Sequence, residues 1–465
     1  MTAPSRIEAP ATDGEGITLG RHYDDASQRV GTKIPYQGER HMLLFGPNGT
    51  GKGTRFLIPN LLTIKDRSII VIDPKGELAA VTAAYRRTVS DVVILNPFNV
   101  LGLGSAGFNP LAALNPASPT FYDDAAALGE ALIRVESKDP HWSESAQSLI
   151  VGLIMWEKLR NRAAANLENV RELLTEPDRW ETYIGEDGKP HERLVGGLRY
   201  TATQMAINGG YEIASLASRF AGRDTNELAG IRSTGDTQTR WLLSKPMRDD
   251  LKKKPGVDFR KLKEKPTTVY VILPAERMRT HSTWLRLIVV SALRSLYQPG
   301  GLRTLLLIDE MPALGSLGPL EDAFGLVRGY KVQIAGICQD LAQLKALYNE
   351  RWESFLANAG VVQGFAPNDL TTADWMSRRA GQTTLIASNT SENIAHTTGQ
   401  RSEGTSWNQV GRALYLPHEL MGFTEGTGLF WLAGMANGVR FFAPPYWKIE
   451  TCAERAAKNP YYDGQ

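Results

Sequence analysis

The stretch FGPNGTGKGTRF, residues 45–56, decides how the rest of this 465-residue chain is read. It holds Gly46, then four residues, then Gly51 and Lys52, the spacing of a phosphate-binding loop. The next position ordinarily carries Ser or Thr, whose hydroxyl ligates the magnesium of a bound nucleotide. Here it is Gly53, with Thr54 one step later. In a chain with 44 glycines the spacing alone is cheap, so its surroundings carry the argument. HMLLF before it reads as a strand, the glycine turn follows at once, and GTRFLIPNLLTI can open a helix. That order wraps consecutive backbone N–H groups around a phosphate and adds the partial positive charge of a helix N-terminus. Gly49 and Gly51 allow positive φ and close backbone approach, and Lys52 reaches the β- and γ-phosphates. The expected nucleotide-binding residues are Gly46, Pro47, Asn48, Gly49, Thr50, Gly51, Lys52, Gly53 and Thr54.

A nucleotide site of this kind needs an acidic residue at the end of a second buried strand. LRTLLLIDEMPALGSL supplies it, an apolar run that leads into Asp309 and Glu310. Asp309 is placed to hold the water shell of a magnesium ion, and Glu310 to act as general base on the attacking water. The plainer reading is a strand that ends in a solvated acidic turn. A third strand, VQIAGICQD, ends in Gln339, where an amide beside the γ-phosphate can sense its loss; a surface glutamine is the plainer alternative.

Composition bounds the class of protein. Hydrophobic residues make up 42% and charged residues 22%, as in an ordinary globular chain. Fifty-two basic and 50 acidic residues leave a formal charge of +2, which argues neither for nor against a polyanionic partner. Two cysteines make no disulfide framework, the seven histidines are scattered, and the first 25 residues lack the apolar core of a signal peptide. The longest apolar runs, such as LIVGLIMW, fall far short of the roughly 20 residues that span a bilayer. The expectation is a cytoplasmic chain.

Along the chain, HMLLF, SIIVID and DVVILNP are short continuous apolar runs, the pattern of strands covered on both faces of a parallel sheet. A buried helix turn is the alternative for each. Residues 123–250 change to apolar spacings of three and four, with abundant Ala, Leu and Glu, which predicts helices. Strands then return in TTVYVILP, TLLLIDE, VQIAGICQ, GVVQGFAP and GLFWLAG. The fold class expected is α/β: a P-loop core with a mostly parallel sheet, interrupted by an inserted all-α domain. The divisions begin with a weakly ordered arm over 1–35. The nucleotide-binding domain follows in two stretches, 36–122 and 251–465, with the all-α domain over 123–250 between them. Residues 383–408, rich in Ser, Thr and Asn, are expected to form a long surface loop.

HMLLFGPNGTGKGTRFLIPNLLTIKDRSIIVIDPKGELAAVTA resembles the nucleotide-binding core of type IV secretion coupling proteins, the TraG-type conjugation ATPases. The GKG form of the loop, the Pro-containing helix that ends in NLL and the strand that ends in DPKGE are shared. The order continues through FNPL, HWSESAQSLI, VYVILP, LIDEMPALG, ICQDLAQL, APNDLTTADWMSRRAGQTT and RALYLPHEL, so that the resemblance covers about residues 38–425. It implies a RecA-like P-loop fold, and that Gly53 is a lineage trait rather than decay. The magnesium ligand stays open between Thr54 and an ion held only by phosphates, Asp309 and water.

By motif, the resemblance makes Lys52 the phosphate lysine, Asp309 and Glu310 the acidic pair, Gln339 the sensor and Arg328 an arginine that acts on a neighbouring subunit. Asp73, Lys75 and Glu77 line the site at a strand's C-terminal end. Implied cofactors are ATP and Mg2+. Implied partners are DNA or a DNA–relaxase complex, secretion-channel components and further copies of the chain, up to a hexamer. Family members begin with two transmembrane helices that this sequence does not carry, so recruitment to the inner membrane through partners is expected. The leading expectation is an ATP-hydrolysing coupling motor for DNA. The alternatives are a nucleotide-gated adaptor for protein effectors and a cytosolic DNA translocase.

Overall fold

The apolar runs do become strands, and the computed structural model describes residues 16–135, 139–221, 226–394 and 401–462. In chain order the strands are β1 (Ile17–Asp24), β2 (Arg29–Tyr36), β3 (His41–Phe45), β4 (Arg67–Asp73), β5 (Asp91–Leu95), β6 (Arg179–Ile184), β7 (Pro190–Gly196) and β8 (Thr267–Ile272). There follow β9 (Arg303–Ile308), β10 (Val332–Cys338), β11 (Ala359–Phe365), β12 (Gln382–Ile394), β13 (Arg401–Ala413), β14 (Thr427–Leu432) and β15 (Val439–Phe442). Every residue of β3, β4, β8, β10 and β11 is buried, as expected of strands covered on both faces. Leu43 and Leu44 expose no surface, and burying each contributes about 1.5–3 kcal/mol.

The described chain divides into two units, Met1–Ile64 with Ala335–Glu454, and Lys65–Ile334 with Arg455–Gln465. In the first, β3 lies parallel between β10 and β11, with Phe45 opposite Cys338 and Leu44 opposite Gln363. Antiparallel pairing continues from β11 through β14, β15 and β1 to β2. Helices follow β3 (Ile58–Thr63, entered through a wide turn over Lys52–Leu57), β10 (Leu341–Tyr348) and β11 (Leu370–Ala380). Each therefore begins at the C-terminal end of a parallel strand, the edge where ligands of α/β folds gather.

In the second unit β9, β4, β8 and β5 pair in parallel, in that order. Glu77–Val89 follows β4 and Ala275–Leu296 follows β8. The same unit contains Phe121–Leu132, Pro140–Asn161, Leu167–Thr175, Leu198–Asn208, Gly210–Ala217, Asn226–Thr239 and Lys245–Lys252. The helical character read over 123–250 belongs to this group.

Three expectations are corrected. Residues 17–36, assigned to a weakly ordered arm, form the pair β1–β2. Ile17 and Leu19 are 1% exposed, and the Asn60 side chain binds Thr18 twice, its Oδ1 accepting from the backbone N–H (2.7 Å) and its Nδ2 donating to the carbonyl (3.0 Å). One-faced alternation among polar residues was the signal that composition hid; residues 1–15 lie outside the described residues. Residues 383–408 are not a loop but most of a long antiparallel ribbon, β12–β13, paired from Gln382 with Ala413 to Ile394 with Arg401. Thr favours extended backbone, and Thr–Thr and Thr–Ser pairs bond across strands. Residues 395–400 lie outside the described residues. The block expected to be all-helical also holds the hairpin β6–β7, with Tyr183 opposite His191 around the turn that contains Asp187 and Gly188.

Candidate nucleotide site

In the first unit the end of β3 is held by the Gly46 N–H, which donates to Cys338 O at 3.2 Å at the end of β10. Gly49 and Gly51 take φ of +87° and +81°, conformations an L side chain adopts only at a cost. The loop is thereby curled back on itself, with the Thr50 hydroxyl donating to Pro47 O at 2.8 Å. The Lys52 ammonium donates to Gly46 O, and to Pro47 O at 3.2 Å, so the cation stands over the loop it serves. No heavy atom lies within 4 Å of where a Cβ would stand at Gly49 or Gly53. A phosphate needs that unfilled, donor-lined space. Thr54 is buried, and its hydroxyl donates weakly to Gly51 O at 3.4 Å.

Arg55 pins the loop from behind. Its guanidinium donates to Ala443 O at 2.8 Å and to Glu425 at 2.6 Å. It packs against Gly51 and Gly426, both at positive φ, where a Cβ would stand 2.7 Å and 2.6 Å from its atoms. Sequence reasoning passed over Arg55 because its partners are almost four hundred residues away. Gln339 follows β10 directly and so begins beside the loop, since Cys338 is opposite Phe45. Asp340 caps the next helix, accepting from the Gln343 N–H at 2.8 Å.

In the second unit β4 and β9 are in register at Ile72 and Ile308, so that Asp73 and Asp309 leave adjacent strand ends. The Asp309 N–H donates to Ile72 O at 3.3 Å. Asp73 is 1% exposed and accepts from the Ala79 N–H at 2.9 Å and the Lys75 N–H at 3.3 Å. Burial, with the neighbouring Asp309 and Glu77 carboxylates adding to it, pushes its pKa up to about 7. Glu310 sits in left-handed backbone (φ 73°, ψ 59°), unusual for a side chain of this size and worth about 1–3 kcal/mol of strain. Glu77 is buried and accepts from the Asn459 side chain at 2.8 Å. The Lys75 side chain is exposed, while its carbonyl accepts from the Tyr461 hydroxyl at 2.7 Å.

The predicted residues thus fall into two groups at strand ends. Gly46 to Thr54 and Gln339 are together in the first unit; Asp73, Lys75, Glu77, Asp309 and Glu310 are together in the second. Arg328 belongs to the turn Val327–Tyr330, and its side chain lies outside the described residues. Among the described residues no cluster of three His, Cys, Asp or Glu side chains could hold a metal unaided. A magnesium ion here would draw most of its ligands from phosphate oxygens and water, its usual habit. Asn459 and Tyr461, which close over the Asp73–Glu77 turn, carried no motif that would have identified them.

No helix among the described residues is long and apolar enough to cross a membrane. The family model described as Type IV secretory system Conjugative DNA transfer matches residues 10–459. The conjugal transfer protein TraG of Escherichia coli is 26% identical over 417 residues, covering 83% of this chain and 62% of that protein. Protein VirD4 of Rhizobium rhizogenes is 28% identical over 364 residues, 76% of this chain and 50% of its own. The chain therefore spans between half and two thirds of the length of these relatives.

Among solved structures, the plasmid coupling protein TrwB in complex with the non-hydrolysable ATP analogue ADPNP aligns with a TM-score of 0.64 at 17% identity, covering 94% of this chain and 96% of that one. The trigonal form of TrwBdeltaN70 in complex with sulphate gives 0.65 at 16% identity, with the same coverage. At such identities the likeness establishes the fold, an α/β RecA-like P-loop core. With a family match that runs nearly from end to end, the chain belongs to the conjugative DNA transfer family of the type IV secretory system.

Proposed function

We propose that the chain is an ATP-hydrolysing coupling protein that drives DNA, or a DNA–protein complex, toward a type IV secretion channel. The observation that carries this reading is the loop at the end of β3, with positive-φ Gly49 and Gly51, open space at Gly49 and Gly53 and Lys52 over the loop. In this reading backbone N–H groups of the loop after Pro47 bind the phosphates, and Lys52 neutralises charge on the outer two. Glu310 takes a proton from the attacking water, Gln339 senses the terminal phosphate, and Arg328 serves a neighbouring copy of the chain. Asp309 and Thr54 are the side chains for magnesium, which when bound offsets phosphate charge. Asp73, Lys75 and Glu77 shape the acidic edge. The helices within 123–250 are read as the cargo-facing region, and membrane recruitment as the work of partners.

Lys52→Ala and Glu310→Gln separate the two chemistries. Lys52→Ala is expected to lose nucleotide affinity, and Glu310→Gln to keep it while phosphate release falls by about 10²–10⁴-fold, the range a general base contributes. DNA is expected to stimulate turnover of the unmodified chain. Hydrolysis retained by both variants would remove the assignment.

A further inference from the structure

The long helix Ala275–Leu296 begins beside a cavity of about 600 Å³ in the second unit, within the roughly 300–1,000 Å³ of small-ligand sites. Four arginines line it, Arg134, Arg240, Arg277 and Arg279; the remaining walls are hydroxyl, amide and ring side chains, and none is a carboxylate. Arg240 reaches out to Asp236 at 3.3 Å, and Arg134 donates to the Ser282 hydroxyl at 2.7 Å. Arg277 stacks over Phe98, 5.7 Å from the ring centre. Among the described residues the guanidinium charges on this wall are therefore only partly offset.

Two buried nitrogens on the same lining go without partners. Trp241 is 6% exposed and His281 7% exposed, and neither Trp241 Nε1 nor His281 Nε2 has a hydrogen-bond partner among the described residues. Buried polar atoms are ordinarily satisfied, so the orphaned indole N–H of Trp241, a donor only, marks a missing acceptor. His281 Nδ1 lies 2.7 Å from the Thr280 hydroxyl. Burial and the nearby Arg277 hold the ring below its usual range, so it is neutral at pH 7. The Thr280 hydroxyl donates to Arg277 O at 3.2 Å, so its oxygen accepts from His281 Nδ1–H and Nε2 is the ring's acceptor; the orphaned donor on this lining is Trp241 Nε1–H. The first turns of the helix add their own N–H dipoles to the same wall.

We propose that this cavity binds a phosphate group, held by Arg134, Arg277 and Arg279 with Trp241 Nε1–H as the buried donor. It is separate from the loop of residues 46–54 and does not depend on whether the chain hydrolyses ATP. The phosphate can be a link in a single DNA strand or a free ion, and the experiment distinguishes them.

The full chain, Arg277→Gln/Arg279→Gln and Trp241→Phe are titrated with a fluorescent 20-nucleotide oligo-dT at several salt concentrations, and with inorganic phosphate by calorimetry. Both arginines are exposed, and Phe keeps an aromatic ring at Trp241 while it removes the N–H and some volume, so melting temperatures are compared and unchanged basal turnover is the control. For a DNA strand, the double variant binds oligo-dT at least tenfold more weakly, its salt slope drops by about 1.4 (about 0.7 per charge on single strands), and Trp241→Phe weakens binding as well. For a free ion, the variants lose one phosphate site from the isotherm and keep the parent's oligo-dT affinity. The proposal is overturned if both variants bind both probes as the parent does, or if the parent binds neither. Failure of the parent to bind oligo-dT alone counts against DNA as cargo and leaves the phosphate arm to decide the cavity.

Discussion

Gly51 and Gly53 stand two residues apart in one loop, and the structure assigns opposite signs to the same substitution. At Gly53 the backbone is not in the positive-φ region, and an added Cβ meets nothing within 4 Å. Gly53→Ala should therefore remove only glycine's own handicap in a helical turn and stabilise the chain by about 0.5–1 kcal/mol. At Gly51 φ is +81°, which costs an L residue about 1–2 kcal/mol. Its Cβ would also lie 2.7 Å from Arg55 Cδ and 2.8 Å from Nε. Displacing Arg55 weakens its bonds to Ala443 O and Glu425. Glu425 is 67% exposed and adds little, whereas the bond to Ala443 O involves a charged donor and adds about 1.5–3 kcal/mol. Gly51→Ala should thus destabilise by roughly 2–4 kcal/mol. In a unit of 150–250 residues 1 kcal/mol moves the melting temperature by about 2–4 °C, so differential scanning calorimetry separates the variants easily. Equal losses in both, or a larger loss for Gly53→Ala, would refute the account of the loop and return Gly53 to the status of a decayed position.

Two further perturbations test the acidic edge. Between about pH 4 and pH 7 folded Asp73 holds a proton that the unfolded chain has released, so stability falls by roughly 1.4 kcal/mol per pH unit across that window and levels off above it. Asp73→Asn should lack this decline, and denaturant midpoints at pH 5 and pH 8 check it. Asn459→Ala should strip a buried carboxylate of its 2.8 Å donor and lower stability by about 1.5–3 kcal/mol, read from the melting temperature; an unchanged value would show that the C-terminal residues do not hold the Asp73–Glu77 turn.

What the sequence disclosed was whatever depends on short spacing. The loop, the buried strands and the acidic strand end each lie within about a dozen residues, and periodicity reads that scale well. Arg55 was silent because Glu425 and Ala443 meet it only through the fold. Asn459 and Glu77 are separated by 382 positions, and Trp241 and His281 become a pair only once a cavity exists between their elements. The ribbon β12–β13 misled for a different reason. Its Ser and Asn content is what turns use while its Thr content favours strands, so composition and strand propensity point in opposite directions.

The acidic edge gathers several arrangements that folding alone does not explain. Asp73 is buried to the point of holding a proton near neutral pH, Glu77 is buried against a side chain from the far C-terminus, and Glu310 accepts left-handed backbone where glycine would be relaxed. Burying the carboxyls of Asp73 and Glu77 and holding Glu310 in left-handed backbone cost stability, which the Asn459 bond to Glu77 only partly offsets. Three such costs at the ends of neighbouring parallel strands form a pattern that single accidents do not make. An Asp73 carboxyl that keeps its proton up to about pH 7 lessens like-charge crowding with Asp309 and Glu77. Backbone strain of this kind gathers at ligand and active sites, so the left-handed Glu310 supports the role proposed for it.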